Sequence, residues 1–181
     1  MFDFSRNHFE LFGLSVGFVI DAEELAQRYR ELQKVVHPDR FAAADELSQR
    51  LSMQLATQVN EAYKTLREPL RRARYMLELY GIDIDEHQAG FADAEFLAEQ
   101  MALREALAGV RSAAAPQAEL DRLLDEIAIM LREQVAQLAV LFESPSAEGL
   151  EAAAHCATRM QFLDRLHAEA EALEADLDEV S

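Results

Sequence analysis

Apolar residues return every three or four positions along most of the chain, and turn residues interrupt them at well-marked places. Leu25, Tyr29, Leu32 and Val36 form the first such stripe. It follows Asp21, with Glu24 three residues on, the pairing that satisfies free amides in the first turn of a helix. Pro38 stops this helix, because the residue before a proline is driven out of the helical region, and a loop containing His37, Pro38, Asp39, Arg40 and Phe41 is predicted. A second helix over residues 45–67 places Leu47, Leu51, Leu55, Val59, Ala62 and Leu66 on one face. Pro69 ends it and suits the first position of a third helix, whose stripe is Leu70, Ala73, Met76 and Leu77 and whose end is Gly81. Upstream, Phe9, Leu11, Phe12 and Leu14 predict a short apolar turn or helix that caps a small core.

Residues 81–92 read as a linker, and three longer helices follow, over 93–110, 116–142 and 145–178, the last capped by Ser144. The middle one carries Leu120, Leu124, Ile127, Leu131 and Leu138, and the last carries Leu150, Ala157, Leu166, Leu173 and Leu177. Short connections make such neighbours antiparallel, so a three-helix bundle is expected over 93–181. With 10 Gly and Pro in 181 residues, too few turn residues exist for a sandwich or barrel, and the fold class expected is all-α.

Charge divides the chain the same way. Residues 1–80 hold 11 Lys and Arg against 12 Asp and Glu, a net of −1, whereas residues 81–181 hold 6 against 22, a net of −16. The total of −17 opposes general nucleic-acid binding, which depends on neutralising phosphates. No apolar run is long enough to span a bilayer, and the start of the chain lacks the basic-then-apolar order of a secretion signal, so a cytoplasmic protein without a membrane partner is expected. One cysteine, Cys156, excludes an internal disulfide and a cysteine-built zinc site, and its setting among Ala152, Ala153, Ala154 and Ala157 suits a small buried residue.

Among the five histidines, His37 stands in the most sharply defined setting, the tripeptide His37-Pro38-Asp39 between two amphipathic helices. As a catalytic pair it lacks a neighbouring Ser or Cys nucleophile in sequence, and as a plain helix-ending loop it needs no function. A 100° step per residue puts Arg30 and Lys34 opposite the stripe of the first long helix and Arg28 near the stripe's edge. Between residues 28 and 74 the charges number ten positive and six negative, a local excess of +4 in an acidic protein.

The order helix, His37-Pro38-Asp39, helix, preceded by Arg28, Arg30 and Lys34, resembles a J-domain, the module that docks on DnaK-type chaperones and triggers their ATP hydrolysis. The resemblance narrows to the HscB co-chaperones of iron-sulfur cluster assembly through Phe9-Glu10-Leu11-Phe12-Gly13-Leu14, Val36-His37-Pro38-Asp39-Arg40-Phe41 and Asn60-Glu61-Ala62-Tyr63-Lys64-Thr65-Leu66-Arg67-Glu68-Pro69-Leu70. Arg72-Ala73-Arg74-Tyr75-Met76-Leu77, the block from Phe96 to Glu105 and Phe162-Leu163-Asp164-Arg165-Leu166 continue it, in order, over almost the whole chain. The resemblance implies a J-domain over 1–80 and a scaffold-binding domain over 93–181. It also implies two partners, the chaperone HscA and the scaffold IscU, with no cofactor or metal and no catalytic residue. The ATPase stimulated would be HscA's own, and cluster transfer from IscU would be promoted. His37, Pro38, Asp39, Arg28, Arg30 and Lys34 are the implied chaperone contacts. A start almost directly at the J-domain suggests a bacterial form.

On the helix over 93–110, Leu103, Leu107 and Val110 lie within about 40° of Phe96 and form the core stripe with it. Leu97 and Met101 sit about 100° to 140° away beside Ala98 and Glu105, either buried on a second side of the bundle or exposed as a protein-binding patch. The resemblance assigns Leu97, Ala98, Met101, Ala102, Glu105 and Phe162 to the scaffold surface, although Ala98 and Ala102 are smaller than the residues often found there. Phe162 also shares a face with Leu166 and Leu173, so core and contact roles both stand. A carboxylate-bridged di-iron enzyme would need paired Glu-x-x-His on facing helices, and Glu151 with His155 is the nearest approach. A plain acidic adaptor and a general J-domain co-chaperone are the remaining alternatives. The second is opposed by the lack of a Gly/Phe-rich linker and a cysteine-rich region.

Overall fold

The computed structural model describes residues 6–37, 45–84 and 94–180. The element order is α1 (His8–Leu11), α2 (Ala22–Val36), α3 (Glu46–Arg67), α4 (Pro69–Leu79), α5 (Ala94–Gly109), a 3-10 turn (Val110–Ser112), α6 (Pro116–Glu143) and α7 (Ala147–Val180). The described residues contain no strand. Contacts divide the chain into two compact units, Met1–Met76 and Leu77–Ser181, so the division falls inside α4.

In the first unit α2 and α3 pair as a hairpin and α1 packs on α3. Asn7 caps α1 by accepting the Glu10 amide at 2.9 Å, while the Glu10 carboxylate returns to the Asn7 amide at 3.0 Å. Gly13 then closes α1. Its φ of +63°, with Gly13 N–H donating to Glu10 O and Leu14 N–H to Phe9 O, completes a Schellman turn that few other residues adopt without strain. Gly81 closes α4 in the same manner at φ +78°, as its position in the sequence predicts. α1 is tied to α4 by the His8 amide, which donates to the Tyr75 hydroxyl at 2.9 Å, and by stacking of the two rings at 4.2 Å. Phe9, Phe12, Phe18, Leu25, Val36, Leu55, Val59, Ala62, Leu66, Ala73 and Met76 are the unit's buried apolar residues.

Two details depart from the sequence reading. Leu47 and Leu51, expected on the buried face of α3, are 68% and 39% exposed. The buried stripe instead runs Ser52, Leu55, Val59, Ala62, Leu66, at spacings of three and four that stay in phase with the helix. Asp21 does cap α2, accepting the Glu23 and Glu24 amides at 2.8 and 3.1 Å, but the Glu24 carboxylate turns to Arg28 instead of closing the box.

In the second unit α6 and α7 lie antiparallel, and α5 packs against both. One buried cluster joins Leu103 of α5 to Leu123 and Ile127 of α6 and to Leu163 and Leu166 of α7. The next layer joins Val110, Leu120, Ala170 and Leu173. Residue numbers rising on α6 as they fall on α7 give the expected bundle its register. Ser144 is the C-cap of α6, not the N-cap of α7. The cap of α7 is Ser146, whose hydroxyl accepts the Gly149 amide at 3.1 Å, and Pro145 occupies the corner where no helix can continue. Cys156 is buried, as expected, its Sγ 3.4 Å from Gln137 Oε1, and burial pushes its thiol pKa up. No helix among the described residues is long and apolar enough to cross a membrane.

Candidate functional site

The first candidate surface is the open end and outer face of the α2–α3 hairpin. α2 stops at Val36, and His37 leaves the helix with φ −57° and ψ 128°, the extended conformation that a following proline imposes. His37 is exposed. Pro38 and Asp39 lie outside the described residues. The two helices are locked together behind His37 by a polar seam. Tyr29 stacks on Tyr63 at 4.0 Å and donates its hydroxyl to Asn60 Oδ1 at 3.0 Å, and the Gln33 amide donates to the same Asn60 oxygen and to the Tyr29 hydroxyl. At the seam's end the buried Ser52 hydroxyl donates to the Val36 carbonyl at 2.9 Å.

Arg30 and Lys34, one turn apart, are both exposed on the outer face of α2. Arg28 is differently placed. Its Nη1 donates to the Phe12 and Gly13 carbonyls at 2.7 and 2.9 Å, and Nε and Nη2 donate to the Glu24 carboxylate at 3.1 and 2.6 Å. The guanidinium thus holds the turn after α1 against α2.

The second surface is on α5. Its core stripe is seated as expected, with Phe96, Leu103 and Val110 buried. Leu97 and Met101 are 52% and 63% exposed, with Ala98, Ala102 and Glu105 exposed beside them. The second apolar stripe of α5 therefore faces out of its unit, which removes the alternative of a helix buried on two sides. Phe162 of α7 is half-buried in the seam behind this helix, edge-on to Phe96 at 6.0 Å and packed against the Leu103 cluster. The Arg104 guanidinium lies 5.6 Å from the centre of the Phe162 ring, and Arg159 lies 5.1 Å from that of Phe96 and 3.9 Å from the Glu99 carboxylate. Phe162 is consequently packed on one side and borders, through Arg104, the exposed stripe on the other.

Sequence periodicity did not single out Ser52, Gln33, Asn60, Arg104 or Arg159. Ser52 was detectable, since it takes a core position in the stripe through Leu55 and Val59. The seam and the two cations depend on which helices meet, information that one sequence does not contain.

Among the described residues no group of three or more His, Cys, Asp or Glu side chains could hold a metal ion. Glu151 and His155, the nearest approach to a di-iron pair, are both exposed. The arrangement is that of two presentation surfaces on helices.

The family model described as the HSCB C-terminal oligomerisation domain matches residues 92–171. The co-chaperone protein HscB homologue of Shewanella baltica (strain OS185) is 43% identical over 163 residues, covering 90% of this chain and 94% of the relative. The homologue of Burkholderia thailandensis is 42% identical over 169 residues, covering 93% and 94%. Among solved structures, chaperone HscB from Vibrio cholerae superposes with a TM-score of 0.84 at 40% identity, covering 95% of this chain and 99% of that one. Human co-chaperone HscB gives a TM-score of 0.84 at 28% identity, covering 95% and 84%. With a J-domain hairpin followed by a helical domain, and with relatives of this identity along nearly its whole length, the chain belongs to the HscB co-chaperone family.

Proposed function

We propose that this protein binds the iron-sulfur scaffold IscU on α5, delivers it to the DnaK-type chaperone HscA and stimulates ATP hydrolysis by HscA, so promoting cluster transfer in the cytoplasm. The observation that carries the reading is the exposed stripe of Leu97 and Met101 on a helix whose other apolar stripe packs into the bundle. Ala98, Ala102 and Glu105 complete the scaffold surface, with Phe162 at its border.

The exposed Arg30 and Lys34 supply a positive face for an acidic region of the chaperone, raising the encounter rate more than the final affinity. Arg28, with its guanidinium engaged inside the unit, contributes charge to that face and shape to its edge. His37, Pro38 and Asp39 act as the trigger, which works by binding one nucleotide state of the chaperone better than the other, because equal binding shifts nothing. ATP and the groups that hydrolyse it belong to the chaperone.

Single-turnover ATP hydrolysis by HscA, measured with and without IscU, tests the reading. His37→Gln is expected to abolish stimulation with helical content unchanged. Replacing Leu97 and Met101 together by serine is expected to remove the added effect of IscU while leaving the basal stimulation intact. Equal rates with the intact protein and His37→Gln would overturn the chaperone role and leave an acidic adaptor.

A further inference from the structure

The end of α2 poses a problem that the sequence solves at a distance. A helix stopped by a following proline leaves the carbonyls of its last turn without the amides four residues ahead. The Val36 carbonyl belongs to that last turn, and Val36 is 1% exposed, so water is a poor donor there. The Ser52 hydroxyl takes its place, donating at 2.9 Å from a side chain that is itself 2% exposed. Every other member of that α3 stripe, Leu55, Val59, Ala62 and Leu66, is apolar. An alanine would continue the pattern without a hydroxyl to desolvate, so it is the hydrogen bond that gives Ser52 a use at this position.

The Val36 carbonyl and the His37 nitrogen belong to one planar peptide unit. Fixing the carbonyl therefore fixes the plane from which His37 departs. We propose that Ser52 is a positioning residue for the chaperone trigger, clamping the last peptide of α2 onto α3 so that His37 is presented in one orientation, while Ser52 itself touches no partner. The proposal rests on the reading of His37 as part of that trigger. It separates two functions of the hairpin: the cations of α2 govern docking, and the Ser52 clamp governs how effectively the docked protein acts. A pre-organised contact spends less free energy on ordering at the moment of binding.

Full-length protein, Ser52→Ala and Ser52→Thr are titrated into single-turnover ATP hydrolysis by the DnaK-type chaperone, with Leu55→Ala as a variant that loosens the same hairpin without touching the bond. Ser52→Ala is expected to lower maximal stimulation about three- to tenfold, the effect of one hydrogen bond, with the half-saturating concentration within about twofold of the original. Ser52→Thr, which retains the hydroxyl, is expected to restore the maximum, and Leu55→Ala to leave it unchanged at a temperature where the variant is folded. In parallel, NMR of the His37 ring is expected to give one set of signals in the intact protein and Ser52→Thr, and broadened or multiple signals in Ser52→Ala. Full stimulation by Ser52→Ala, equal losses with alanine and threonine, or an equal loss with Leu55→Ala would overturn the clamp. No stimulation by the intact protein would instead overturn the chaperone reading, and the His37 signals would then decide the clamp alone: unaltered signals in Ser52→Ala refute it.

Discussion

Arg28 illustrates how one guanidinium can be committed before any partner arrives. Its five donors are fixed in a planar fork, and they are aimed at two carbonyls of the turn after α1 and at the Glu24 carboxylate. The turn in question contains Gly13 at φ +63°, where an added Cβ would stand 2.8 Å from Arg28 Nη1, so glycine and arginine are fitted to each other. Arg30, two residues later, is exposed on the outer face. The two cations should therefore fail differently. Arg28→Ala is expected to cost about 1 to 2 kcal/mol of unfolding free energy, measured from the urea midpoint, because two carbonyls lose their donor. Arg30→Ala is expected to change stability by less than about 0.5 kcal/mol, yet to slow association with the chaperone and flatten its dependence on salt. Indistinguishable stabilities for the two variants would contradict the assignment. A 100° wheel places Arg28 at the edge of the buried stripe and stops there. The carbonyls that claim it come from another element, so its role was out of reach of periodicity.

At the scale of elements, the chain is legible because apolar spacing and turn residues agree. α2 ends at Val36, ahead of Pro38, while Pro69, Gly81 and Pro145 each fall at an observed end or corner, and Phe96 and Leu103 of α5, with Val110 of the 3-10 turn after it, are buried as their phase requires. Apolar spacing is ambiguous where steps of three and four can be joined in more than one phase. The run Leu47, Leu51, Leu55 competes with Ser52, Leu55, Val59, and hydrophobicity favours the first although packing chooses the second. Capping was ambiguous for a similar reason, since Ser144 and Ser146 flank the same proline and only the latter faces a free amide. The start of α3 gives a pH-dependent element. Asp45 accepts the Ser48 amide at 3.0 Å and the Ser48 hydroxyl at 2.8 Å, and the backbone hydrogen bond first, then the side-chain one, hold its carboxyl below the ordinary 3.8. Both bonds favour the ionised form in the folded state. Their contribution is complete above the unfolded value and disappears as pH falls through the lower folded one. Acid titration followed by NMR should show the Ser48 amide losing protection only on the acid side of the ordinary carboxylate value, and Asp45→Asn, which keeps the cap without the charge, should remove that transition. Persistence of the same transition in Asp45→Asn would assign it to another carboxylate.

For the whole molecule, the division seen in charge, −1 over residues 1–80 against −16 over 81–181, is repeated in two units with different surfaces. Each surface is explicable within its own unit: a hairpin presenting His37 and cations, and a bundle presenting Leu97 and Met101. In the proposed function, the two surfaces act together because one chain carries both. A tether holds two bound partners at an effective concentration on the order of millimolar, so at micromolar protein it favours their encounter by about a thousandfold. That term is removed when the two surfaces are supplied on separate molecules. His37→Gln retains the α5 stripe, and serine at both Leu97 and Met101 retains the hairpin. If delivery depends on the tether, an equimolar mixture of these two full-length proteins will not recover the scaffold-dependent part of chaperone stimulation, although every surface is present in the tube. Recovery to the level of the intact protein would mean that the scaffold is primed by α5 and released before the chaperone is engaged, and the two units would then act in sequence without a bridge.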